Sequence, residues 1–99
     1  MGYVICMASF PSHVAREVGQ AFLKIEKLPD FVKTEHVFNA AAGDYISFSI
    51  YKIEDESKYF EGIKAIVKRF SGYKDIVGYK YHLYPVLEAK DALSIVGLG

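Results

Sequence analysis

Two stretches of this sequence bring together side chains that can do chemistry. Lys80, His82 and Tyr84 alternate along GYKYHLYPVL. On a β-strand they share one face and present a cation, a proton carrier and a phenol side by side. Ser47 and Ser49 stand between Tyr45 and Tyr51 in the same alternation. That small-and-aromatic surface can enclose a small molecule and offer it hydroxyl hydrogen bonds. Each set also has a plain structural use. Lysine guards an edge strand against unwanted pairing, and small residues let a second sheet pack closely. His13, His36 and His82 are joined by no HxH or HxxxH spacing, so no metal site is expected. Cys6 is the only cysteine, which excludes an internal disulfide, and its apolar setting in VICMAS is that of an inert core thiol. No Gly-rich phosphate loop, nucleophile elbow or paired-carboxylate motif is present, and no cofactor is expected.

The elements that must position these residues follow from periodicity. Tyr3 to Ser9 is a nearly continuous apolar run and reads as a central strand. Pro11 and Ser12 suit a helix start, and Val14, Val18, Ala21, Phe22, Ile25 and Leu28 form its apolar stripe up to Pro29 and Asp30. Phe31 to Ala40 predicts an edge strand with Val32, Thr34, His36 and Phe38 on one face and Lys33, Glu35, Val37 and Asn39 on the other. AAGDY supplies a turn, and Tyr45 to Ile53 follows as a strand. A second helix starts at the cap residue Asp55, carries Tyr59, Ile63, Ile66, Val67 and Phe70 as its stripe, and ends at Ser71 and Gly72. Asp55, Glu56, Glu61, Lys64, Lys68 and Arg69 read as its solvated face. Gly19 and Gly62 interrupt the two helices, through either close packing or tolerated imperfection.

The order strand, helix, strand, strand, helix, strand predicts an α+β domain of the ferredoxin-like βαββαβ kind. Its antiparallel sheet has order 4-1-3-2, with both helices on one face. The domain takes residues 1–90, and residues 91–99 are an apolar tail that either packs on a partner subunit or frays. Ile46, Phe48 and Ile50 are expected beneath the helices. Tyr45, Ser47, Ser49 and Tyr51 then join Lys80, His82 and Tyr84 on the open face, while Tyr79, Tyr81 and Leu83 turn towards the helices. For the first strand, Val4, Cys6, Ala8 and Tyr3, Ile5, Met7 are both apolar sets, so both of its faces are expected to be buried. A face-to-face homodimer, a dimeric α+β barrel, is the simplest way to cover the open side.

The segment LPDFVKTEHVFNAAAGDYISFSIYKIED, with the looser YFEGIKAIVKRF and IVGYKYHLYPVL, resembles the effector-binding (RAM) domain of the Lrp/AsnC family. Gly43, Asp44 and Tyr45 are its motif-like match. The resemblance implies a dimer, or a higher oligomer of dimers, that accepts an amino acid or similar effector in clefts between subunits. On that pattern the Gly43 loop backbone and Asp44 contact polar groups of the ligand. The helix-turn-helix that normally precedes such a domain is not in this sequence, so a stand-alone small-molecule-binding module without catalysis is expected. Two rivals stay open. One is a small enzyme similar to the antibiotic-biosynthesis monooxygenases or related isomerases, which often place a Trp and a His in the second helix region, residues absent there from this chain. The other is a domain that only dimerises.

Composition bounds these readings. Ninety-nine residues make one small domain, and 52% hydrophobic residues with only 24% charged leave apolar area to spare. Zero formal net charge and no basic cluster beyond Lys68 and Arg69 argue against nucleic-acid binding by this chain. MGYVICMASF has neither the basic start of a signal peptide nor, with Cys6 in the Ser/Thr position, a myristoylation motif, and no apolar run spans a membrane. A cytoplasmic protein with no membrane association is expected.

Overall fold

The computed structural model describes residues 2–98. Four strands, β1 (Gly2–Phe10), β2 (Val32–Ala42), β3 (Asp44–Ile53) and β4 (Lys80–Val86), form one open antiparallel sheet in the order β2-β3-β1-β4. Helices α1 (Ala15–Lys24) and α2 (Tyr59–Ser71) follow β1 and β3. A third helix, α3 (Ala89–Ile95), follows β4 and takes up much of the tail; Gly99 lies outside the described residues. No helix among the described residues is long and apolar enough to cross a membrane.

Local chemistry accounts for most boundaries. The Asp55 carboxylate accepts from the Ser57 backbone N–H at 3.0 Å, capping the turn that leads into α2. Pro11 stands at the corresponding cap position before the turn into α1, and no side chain caps it there, so the expected Ser12 cap is not made. α1 ends at Lys24, earlier than its apolar stripe predicts. Ile25 is extended, and Ile25 and Leu28 reach the core from a non-helical strap. At the hairpin tip Gly43 sits at φ 89°, a conformation favoured by glycine. The link after α2 is built from successive turns, packed by the Tyr73 and Tyr79 rings, which stack at 4.6 Å.

The core lies between the helices and the sheet. Val4, Cys6 and Ala8 of β1, Val32 of β2, Tyr51 and Ile53 of β3, and Ile66, Phe70 and Tyr73 from α2 and its C-terminal end form one buried cluster. Tyr79, Tyr81 and Leu83 pack against it, so β4 presents to the helices the set that its alternation predicts. β1 is settled by this packing: Val4, Cys6 and Ala8 lie under the helices, and Tyr3, Ile5 and Met7 occupy the other face.

One expected face is reversed, and one expected set of alternating residues is divided between the two faces. In β3 it is Ser47, Ser49, Tyr51 and Ile53 that face the helices, while Ile46, Phe48 and Ile50 lie on the open side. Ile53, fully buried, anchors that parity beneath Gly62 of α2. A Cβ at Gly62 would come within 2.6 Å of the Ile53 Cδ1, so a glycine is what lets α2 approach the sheet here. In β2 the register shifts between Thr34 and His36. This irregularity puts Val37 and Asn39 on the helix side with Val32 and Thr34, and leaves His36 and Phe38 on the open face. Strict alternation through that point predicts the opposite for His36 to Asn39.

Candidate functional site

Small side chains on both layers leave room between them. A partly enclosed cavity of about 550 Å³ lies between α1, α2 and the helix-side face of β2 and β3. Ser47, Ser49, Thr34 and Asn39 line its sheet side, Ala15, Val18 and Gly19 its α1 side, and Arg69 and Phe70 its α2 side. The volume falls within the range of small-molecule sites. A Cβ built on Gly19 meets nothing within 4 Å, so the missing side chain adds open space and no backbone contact requires it.

Aromatic rings frame the cavity and fix its shape. Phe10 stacks on Tyr79 at 5.9 Å and meets Tyr45 edge-on at 5.7 Å. Phe70 contacts Tyr51 edge-on at 6.5 Å and stacks on Tyr81 at 5.2 Å. Offset and edge-on ring pairs of this kind add stability beyond their buried area and hold ring orientation.

Ser49 and Arg69 act on the buried Tyr51 phenol. Burial pushes its phenol above the ordinary tyrosine value, opposed by hydrogen bonding with the Ser49 hydroxyl and by the Arg69 guanidinium. Burial likewise pushes Tyr73 and Tyr79 up, so all three phenols lie further from ionisation than a free tyrosine, which is itself neutral at neutral pH. Arg69 is held from outside: its Nη1 donates to the Glu26 carbonyl at 3.1 Å, and its guanidinium stands 5.8 Å from the centre of the Phe22 ring. Among the described residues lining the cavity none is Asp, Glu, His, Cys or Lys. The lining offers hydrogen bonds and one fixed cation instead of a proton shuttle.

The expected site residues are divided by the sheet. Ser47, Ser49 and Tyr51 reach this cavity from the helix side, not the open side. Tyr45 stands beside it, lining a smaller recess with Phe10 and Asn39. Gly43 and Asp44 are exposed at the hairpin tip and do not line the main cavity. Lys80, His82 and Tyr84 are exposed on the opposite face, His82 and Tyr84 stacked at 6.2 Å. They cannot act together with the serines within one chain. His36 and His82 occupy the two outer strands, and among the described residues no cluster of His, Cys, Asp or Glu could hold a metal ion.

Sequence reasoning placed Arg69 on the solvated face of α2 and passed over Tyr73. Both were open to detection. Gly62, Ile66, Phe70 and Tyr73 fall at helical three- and four-residue steps along the buried stripe, and Arg69, three residues after Ile66, borders it as a half-buried side chain. Cys6 is a core thiol: burial pushes its pKa up to about 12, which leaves it un-ionised and unreactive.

No family model and no curated protein matches the chain. Among solved structures, it is similar to a de novo designed protein, Foldit4, with a TM-score of 0.57 at 11% identity over 89% of this chain and 99% of that one. At that identity the likeness concerns the fold alone. A tripeptidase from Staphylococcus aureus subsp. aureus Mu50 aligns with 99% of this chain at 10% identity and a TM-score of 0.48, the chain spanning 36% of its length.

Proposed function

We propose that this chain is a small-molecule-binding module of ferredoxin-like fold that pairs through its open sheet face into a dimeric α+β barrel. The observation that carries the binding half is the cavity of about 550 Å³ lined by aromatic rings, hydroxyls and a single guanidinium. Phenols held protonated and an arginine fixed by a backbone carbonyl suit recognition more than turnover. The resemblance to the Lrp/AsnC effector-binding domain through Gly43, Asp44 and Tyr45 supports a regulatory role, although the cavity lies elsewhere than the hairpin that carries that motif.

The pairing half rests on the open face. Ile5, Met7, Ile46, Phe48, Ile50 and Phe38 lie there in adjoining cross-strand rows, on the face opposite the one that α2 packs against. Phe38 is 56% exposed and Phe48 36%. A second copy offers the same apolar rows and covers both at once. Leu93, Ile95, Val96 and Leu98 are exposed as well, and α3 extends that interface in the assembled pair.

A two-dimensional NMR screen of amino acids and small aromatic compounds tests the binding half. Hits are expected to shift amides around Val18, Ser49 and Phe70 and to be lost in Ser47→Phe, which fills the cavity from the sheet. Shifts confined to Asp44 or the open face, or none at all, defeat it. Light scattering tests the pairing: a monomer of 11.1 kDa at micromolar concentration removes the barrel.

A further inference from the structure

We propose that the ligand of the helix-side cavity is an apolar monocarboxylate whose carboxylate is received by Arg69. This rests on the reading of the cavity as a binding site and adds the chemical class of its occupant. Three features point to that class. First, Arg69 is the only fully charged side chain among the described residues that line the cavity, and no carboxylate there neutralises it. The Lys68 and Glu26 side chains form their own ion pair at 3.8 Å, both largely exposed. Second, the guanidinium is pre-oriented. One nitrogen is engaged by the Glu26 carbonyl at 3.1 Å, the Phe22 ring lies 5.8 Å away, and the Tyr51 phenol lies within the reach of the same group. A planar fork held in this way matches a carboxylate in a two-point geometry that a lysine would not offer, and little rotamer entropy remains to be lost on binding. Third, the remaining walls are rings and aliphatic groups from Phe10, Val18, Val37 and Phe70, which fit a hydrocarbon or aryl body.

The same features select against two neighbouring classes. An amine brings a second positive charge beside Arg69 with no acid to receive it. A free amino acid carries that penalty on its ammonium group even while its carboxylate is satisfied, so the cavity prefers the deaminated acid to the amino acid. The phenols of Tyr51, Tyr73 and Tyr79 are neutral donors at neutral pH, and burial moves them further from ionisation, so they do not compete with the ligand as anions.

Four probes that share one aryl body separate the possibilities: 3-phenylpropionate, 3-phenylpropionamide, phenylalanine and phenethylamine, each titrated into the full chain by calorimetry and NMR. The acid is expected to bind at least tenfold more tightly than the amide or phenylalanine, and the amine not measurably. In Arg69→Gln the acid should lose at least tenfold in affinity while the amide is unchanged, and Arg69→Lys should recover only part of the loss. Equal affinity of acid and amide for the native chain overturns the carboxylate assignment while leaving the cavity as a binding site. Failure of all four probes to perturb the cavity amides overturns both. The comparison of probes on the native chain needs no variant to fold.

Discussion

The two faces of the sheet differ in a way that reverses the usual pattern. Beneath the helices Cys6, Ala8, Ser47, Ser49 and Tyr51, small or hydroxyl-bearing residues, lie beside the larger Val4, Ile53, Ile66 and Phe70. On the open side lie Ile5, Met7, Ile46, Phe48 and Ile50, the residues that would make the better core. An intramolecular core needs tight packing to hold its fold, and loosely filled space beneath helices costs dispersion contacts. Small and hydroxyl-bearing residues inside leave room beneath the helices, and large apolar residues outside leave an uncovered apolar face.

Changes on the two faces should break this contrast in different ways. The largest effect is expected from Phe70→Ala on the helix side, which removes the ring shared by Tyr51, Tyr73 and Tyr81; it should cost about 3–5 kcal/mol in urea denaturation. Loss under 1 kcal/mol would mean that the cavity region carries no stability and the packed end alone holds the domain. On the open face, Phe48→Glu should leave the monomer within about 0.5 kcal/mol of the native chain but weaken pairing by about 2 kcal/mol or more, read as a change of mass in light scattering. If it destabilises the monomer as much as Phe70→Ala does, the open face is intramolecular core and the contrast fails.

Alkaline titration sharpens the comparison further, because the raised groups all belong to the helix side. Cys6 ionises near 9 when unfolded and is held up to about 12 in the fold, so between those values the unfolded chain binds fewer protons than the native one. Stability is fully present below pH 9 and falls as pH rises through that window, with Tyr51, Tyr73 and Tyr79 adding to the fall above 10 in the same direction. Melting temperatures across this range, together with thiol labelling that proceeds only after denaturation, check it. A Cys6 that labels at pH 8 in the native state contradicts the buried assignment. The smallest change is expected from Gly19→Ala, whose Cβ meets open space; it should stabilise α1 by about 0.5–1 kcal/mol and leave binding of a small ligand intact.

Element existence was legible in the sequence wherever a local rule acts. The apolar runs of β1 and β3, the stripe of α2 with its Asp55 cap, and the strand that holds Tyr79, Tyr81 and Leu83 towards the helices all follow from periodicity. The site was legible only in part. Ser47, Ser49 and Tyr51 were visible as a set, but the face they occupy was not, and Arg69 was hidden among the charges of α2 although its spacing aligned it with Ile66 and Tyr73. α3 was not foreseen: in DALSIVGLG the apolar residues dominate and no cap announces the helix start.

What the sequence by itself determined is the four strands and first two helices, the antiparallel neighbours of the strands, and the pairs of side-chain sets that β1, β3 and β4 divide between two faces. Which set turns inward in β1 and β3 was decided by tertiary structure alone. Alternation is symmetric, and a one-residue shift exchanges every side chain between faces without altering the pattern. The choice came from contacts distant in the chain, with Gly62 of α2 seated on Ile53 of β3, and from the shift between Thr34 and His36 that re-aims the second half of β2. Those contacts placed the serines, Tyr51 and Arg69 around one cavity and left the bulkier apolar residues to the outside.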